Sequence, residues 1–238
     1  MADPDHRQLT EEILLALGLL FLLFNIFPGI DIWVSALFYD GITGGWTAEN
    51  AFFNAYRGAF NVTSIGLAVT CLVLWVVSVW RGPVFTVPQP VWGFVPLLYI
   101  LGPGILVNGV LKNMWGRARP GDVVEFGGER SFSPAFILSD QCDGNCSFVS
   151  GEGSGATAFF ISVLVLSAYI PNKTLRHGIL AVALAGASLA ALLRVLKGRH
   201  FLSDTLGSVL FVSLVAVLLH WLLVGRAGGR EKDTAHNT

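Results

Sequence analysis

Six apolar stretches, at about residues 13–30, 61–80, 90–111, 151–172, 178–196 and 202–225, come to or near the length at which a helix crosses a bilayer, roughly 20 residues. A chain in hydrocarbon must satisfy its own backbone hydrogen bonds, so such runs are expected as helices packed in a bundle. The fifth is the least secure, since only 178–193 is free of charge, His177 stands at its entrance and Arg194 falls in its last turn. Tilt and snorkelling make up such shortfalls. A composition of 53% hydrophobic and 13% charged residues, with mean hydropathy +0.64, matches lipid as the solvent. The expected fold is an all-α integral membrane protein of six transmembrane helices, a single domain over residues 1–238 with polar tails at about 1–12 and 226–238. The first run lacks a small-x-small cleavage site and is read as a retained anchor.

Net charge of −1 and a pI near 6.5, with no basic run, set nucleic acid aside as a partner. Six crossings put both termini on one side and the segments after spans one, three and five on the other. Three chemically suggestive clusters lie in or beside those segments. Apart from Lys112, Arg119 and Arg194, the cluster side carries Arg57, Arg117, Arg130, Lys197 and Arg199, five basic residues against seven on the terminal side. That bias favours cytoplasmic termini and an extracytoplasmic cluster face. Cys142 and Cys146, as CDGNC on the cluster side, can pair as a local disulfide in an oxidising compartment, whereas Cys71 sits within span two. No further Cys or His accompanies the pair in its loop, so no metal site is expected there.

Residues 31–60 are rich in aromatics, and Phe52, Phe53, Tyr56 and Phe60 follow helical spacing. They are read as an additional interfacial helix on the cluster side, either an aromatic belt or a gate for lipid access.

The clusters carry the chemistry. In KNMWGRARP, Lys112 and Arg119 are seven apart, close to two helical turns, before Pro120 forces a turn. Two cations aimed at one point suit a phosphoryl group, a fork from arginine and a point charge from lysine. Snorkelling at the interface is the competing reading of the pair, and the one given to Arg117 beside them. In SFVSGEGSG, Ser150 suits an N-cap, and the free amides from Gly151 onward can bind an anion; Gly151 and Gly155 can equally serve close helix packing. In RVLKGRHFLSD, His200 and Asp204 share a helix face, so Asp204 can accept from one ring nitrogen and leave the other nucleophilic. A capping aspartate beside an interfacial histidine is the competing reading. Arg194, six residues before His200, can complete a phosphate cage, with a topological anchor at the interface as its competing reading.

With these residues in place, the chain resembles the type 2 phosphatidic acid phosphatase superfamily, whose motifs are K-x6-RP, P-S-G-H and S-R-x5-H-x3-D. Lys112, Arg119 and Pro120 match the first, Ser150 and Gly151 the second, and Arg194, His200 and Asp204 the third. The form SFVSGE beside KNxWGRARP is most similar to the bacterial lipid A phosphatases of that superfamily, in particular the 4'-phosphatase type. The resemblance implies a phosphohistidine formed on His200 and oriented by Asp204. Lys112, Arg119, Arg194, Ser150 and Gly151 would hold the phosphoryl oxygens, with no cofactor or metal. It also implies a membrane lipid phosphate as substrate. Lipid A comes first, undecaprenyl diphosphate or phosphatidylglycerol phosphate are the alternatives, and a non-catalytic lipid-binding or transport protein is the rival of another class. The departures are Glu152 in place of the second-motif histidine that protonates the leaving oxygen, Val149 for proline and Leu193 for serine. Glu152 is expected as a retuned general acid, a substrate contact or the mark of a better leaving group.

Overall fold

The computed structural model describes residues 5–225. Helix α1 spans His6–Ile26 and a short α2 spans Gly29–Ala36. A two-residue hairpin follows, Tyr39–Asp40 paired antiparallel with Gly45–Trp46, and then the long α3, Ala51–Arg81. The next helix runs as α4, Gln89–Tyr99, through a π-helical stretch Ile100–Leu111 into α5, Lys112–Met114. After a long loop come α6, Gly151–Ser167, α7, Lys173–Leu196, and α8, Leu202–His220, which continues as a π turn to Gly225. Five of these, counting α4 to α5 as one, are long and apolar enough to cross a membrane, and α6 is a shorter apolar helix. The chain is thus a multi-pass helical bundle, as its apolar runs require.

Local chemistry moves several expected boundaries. The first helix starts inside the expected tail, because the Asp5 carboxylate accepts from the amides of Arg7 and Gln8 and Arg7 pairs with Glu11 one turn on. Pro28 and Gly29 interrupt it, and residues 29–30 fall in α2. Residues 226–238, the other expected tail, lie outside the described residues. The interfacial helix is expected at four aromatics of residues 31–60. Phe52, Phe53, Tyr56 and Phe60 instead open α3, where the Asn50 side chain caps the Phe53 amide. At 31 residues, α3 is about 46 Å long. That exceeds the roughly 30 Å of hydrocarbon, so the helix has room to carry Asn54 and Arg57 beyond it toward the clusters.

Helix α6, the shorter apolar helix of the bundle, is packed on several sides. Helix α6 packs against α3, α4, α7 and α8, and its small residues Gly153, Ser154, Ala156 and Ala158 are buried. A methyl group on Gly153 would stand 2.6 Å from the Ser208 hydroxyl of α8, so the two helices approach closely there. Wrapped by protein, α6 need not match the bilayer thickness. The π stretch before Lys112 contains Pro103 and three glycines, and the Asn108 and Asn113 amides donate to the Pro103, Asn108 and Gly109 carbonyls. Side-chain amides thereby take over carbonyls that regular helical bonding would use. A second core, of Ala118, Val123, Phe126 and Phe201 with Tyr39, Trp46 and Phe132 against it, seats the long loop on the cluster end of the bundle.

Candidate active site

The third cluster is built by a helical hairpin. Helix α7 ends at Leu196, and the amides of Arg199 and His200 both donate back to the Arg194 carbonyl, which folds the turn onto the helix end. Gly198 makes this possible: its φ is +60, and a methyl group there would collide with the Trp46 ring. Arg194 and His200, six apart in sequence, therefore share one place. Helix α8 starts immediately afterwards, with the Asp204 carboxylate accepting from the Phe201 amide at 2.8 Å.

His200 is buried, and its Nδ1 lies 2.7 Å from the Ser147 carbonyl. A carbonyl only accepts, so Nδ1 carries the proton and Nε2 is left with its lone pair. Burial, and after it the positive charges of Lys112, Arg194 and Arg119, holds the ring well below the ordinary histidine pKa. The imidazole is neutral at pH 7.

Asp204 does not hold the ring as expected. Its Oδ2 is 4.0 Å from Nδ1, and the carboxylate is instead taken by Arg117 at 2.6 Å, the Ser147 hydroxyl at 2.5 Å and the Phe201 amide. Its influence on His200 runs through Ser147, whose hydroxyl it fixes and whose carbonyl meets the ring. Asp204 is both the helix cap and the anchor of that relay.

Arg117 is no snorkelling residue. It is fully buried, bonded to Asp31 at 2.9 Å, Asp204, the Ser203 hydroxyl and the Ser133 carbonyl, with the Phe201 ring 4.3 Å from its guanidinium carbon. Asp31, in α2, also accepts from the Ser203 amide at 3.0 Å. Asp31, Ser147 and Ser203 were missed in the sequence. An aspartate at the end of an apolar run, on the same side as the motifs, was the available signal.

The phosphate-binding candidates assemble above this layer. The Lys112 ammonium donates to the Asn145 side chain at 3.1 Å, and Arg119 to the Asn145 carbonyl at 2.6 Å. Asn145 sits inside the Cys142–Cys146 disulfide loop, which thus presents one residue to both cations. Ser150 caps α6, its hydroxyl accepting from Gly153, and its own amide donates to the Asp204 carbonyl. A methyl group on Gly151 would stand 2.8 Å from the Asn108 side-chain oxygen and 3.2 Å from the Lys112 ammonium, so both side chains approach the start of α6 closely. Val149 is buried and packs toward Gly207, and Leu193 is buried, so two of the motif departures serve packing.

Glu152 is committed to arginines. Arg57 of α3 grips both carboxylate oxygens, at 2.8 and 2.9 Å, and Arg194 approaches at 3.4 Å. Arg57 is another residue the sequence did not reveal as part of the site, although it is the single basic residue of 31–60. A cavity of about 420 Å³ opens here, lined by Glu49, Asn54, Arg57, Arg119, Arg194, Lys197 and Arg199. Five cations around one hollow suit a multiply charged anion. Among the described residues there is no cluster of three or more His, Cys, Asp or Glu that could hold a metal ion.

A profile described as the PAP2 superfamily matches residues 93–227. Three curated proteins named lipid A 4'-phosphatase are similar over most of the chain. That of Francisella tularensis subsp. novicida is 30% identical over 210 residues, covering 84% of this chain and 89% of its own. That of Rhizobium leguminosarum is 34% identical over 215 residues, covering 82% and 89%, and that of Rhizobium etli 34% over 211 residues, covering 82% and 80%. Among solved structures, a transmembrane PAP2-type phosphatidylglycerolphosphate phosphatase from Bacillus subtilis shares the fold. Its TM-score is 0.56 at 20% identity, over 92% of this chain and 96% of that one.

Proposed function

The chain belongs to the PAP2 superfamily, and on that premise we propose that it is a phosphatase removing the 4'-phosphate monoester of lipid A at the extracytoplasmic face of the bacterial inner membrane. The reading rests on one observation. A buried, neutral imidazole with a free Nε2 lies in the field of Lys112, Arg119 and Arg194, three cations delivered by separate elements, of which Arg119 and Arg194 also line a polar cavity.

In the proposed reaction the His200 Nε2 lone pair attacks phosphorus while the bond to the lipid oxygen breaks. The leaving oxygen takes a proton from water in the cavity. The three cations and the Gly151 amide hold the phosphoryl oxygens as charge builds. The hydroxide left by that transfer then attacks the phosphohistidine, the P–N bond breaks, and hydrogen phosphate and neutral His200 are released. Asp204 orients the ring through Ser147. Glu152 holds Arg57 and Arg194 in place in this scheme and does not donate the proton. Positive side chains carry the charge stabilisation, so release is expected to persist in EDTA. The disulfide on the cluster side fits an oxidising compartment.

Phosphate release by the detergent-solubilised protein from lipid A, undecaprenyl diphosphate and phosphatidylglycerol phosphate tests the activity and its preference. His200→Ala is expected to lower release by at least about a thousandfold. Release that survives this substitution would reject His200 as nucleophile, and no release from any lipid would favour a binding or transport protein. Labelling of Glu125→Cys by an impermeant maleimide on intact spheroplasts tests the face; protection there, with labelling after lysis, would reverse the orientation.

A further inference from the structure

The cavity holds more positive charge than one phosphate needs. Arg57 is matched by Glu152, and Lys112, Arg119 and Arg194 face the reacting group. Lys197 and Arg199 remain on the same wall, and neither makes an ion pair among the described residues. The lining carries five positive charges and Glu49, so with Glu152 a phosphate monoester dianion leaves about one of them unbalanced. Lys197 is 7% exposed, its ammonium donates to the Asn54 side chain, and burial with repulsion from Arg194 and Arg57 lowers its proton affinity. Holding such a cation against its neighbours is costly unless an anion arrives.

We propose that Lys197 and Arg199, with Arg57 on the adjoining wall, form a second anion subsite that takes an acidic group carried by the same lipid headgroup, next to the phosphate being cut. The residues sit where this requires. Lys197 and Arg199 flank the Gly198 turn immediately before His200, so a group bound there is held beside the reacting phosphate. The subsite rests on the phosphatase reading for its neighbour but not for its own charge.

The test uses two synthetic lipids, a diacylated glucosamine phosphate and the same molecule with its neighbouring hydroxymethyl group replaced by a carboxylate. The full-length protein in detergent is expected to show kcat/KM about tenfold higher for the carboxylate lipid. In Lys197→Gln with Arg199→Gln that ratio falls to about one, with thermal unfolding measured to show that the variant is folded. Equal use of both lipids by the native protein, or a ratio that survives the substitutions, overturns the subsite. Binding of the same lipids to His200→Ala separates this from the chemistry: an about tenfold ratio of Kd without turnover in the native protein keeps the subsite and rejects the phosphatase reading, whereas equal Kd rejects the subsite. If the lipids are equivalent but the substitutions relieve inhibition by inorganic phosphate, the cations serve the free anion and the headgroup assignment falls.

Discussion

Asp31, Arg117, Ser147, Ser203 and Asp204 form a buried layer that meets the His200 ring through the Ser147 carbonyl, in which nearly every donor finds an acceptor and two carboxylates share one guanidinium. Arg57, Arg119, Arg194, Lys197 and Arg199 instead surround an open hollow, with Glu49 the carboxylate of its lining and Glu152 paired to two of its arginines. The two regions use the same chemistry to opposite ends. The closed layer completes its own hydrogen bonds and so can set a geometry, whereas the open layer holds more cations than carboxylates. Stability and turnover should therefore separate along this boundary.

The sharpest way to break the contrast is Arg117→Met. It leaves Asp31 and Asp204 buried without a cation, which costs about 3–5 kcal/mol, whereas Arg199→Gln in the open layer should shift thermal unfolding little. Equal effects of the two on the unfolding midpoint would erase the distinction.

Lys112→Gln is next. Losing one positioned charge should lower kcat/KM by about a hundredfold. It should also move the pH profile. The cation depresses His200, so the native enzyme is expected to keep its nucleophile as pH falls below the ordinary histidine value of about 6.5. Removing the cation raises the His200 pKa and moves the acid limb to higher pH. An unmoved limb would separate that limb from His200.

Glu152→Gln frees Arg57 and Arg194 from their carboxylate and should reduce kcat about tenfold, with a smaller change in KM and a similar loss at every pH. A loss that fades as pH rises would instead make Glu152 the proton donor, and no loss at any pH would remove it from turnover.

The smallest effect is expected from Cys142→Ser with Cys146→Ser. The disulfide closes a short loop, a contribution of about 2 kcal/mol, and Asn145 within it touches Lys112 and Arg119. A few-fold rise in KM is expected. An unchanged KM would make the disulfide a device of stability alone.

Much of this arrangement was legible beforehand, for a physical reason in each case. Helices in lipid announce themselves by length and apolarity, so the crossings could be counted. Spacing along a single helix or turn then placed Arg194, His200 and Asp204 together. Boundaries were less legible where one side chain decides them, as Asp5 does for α1 and Asn50 for α3. The site's second halves were not legible at all. Arg117 looked like an ordinary interfacial cation because its partners, Asp31 and Asp204, are 86 and 87 residues away. Arg57 and Glu152 are 95 apart.

The sequence by itself determined a membrane bundle with a histidine and three cations gathered at one boundary, since hydrophobic length and local spacing are properties of the chain alone. Only the tertiary structure decided that Ser147, not Asp204, meets the imidazole, that Arg117 is locked beneath it and that Glu152 answers to Arg57. Those pairings depend on which helices pack side by side, and hydrogen bonds are directional over about 3 Å, a distance that no spacing along the chain specifies.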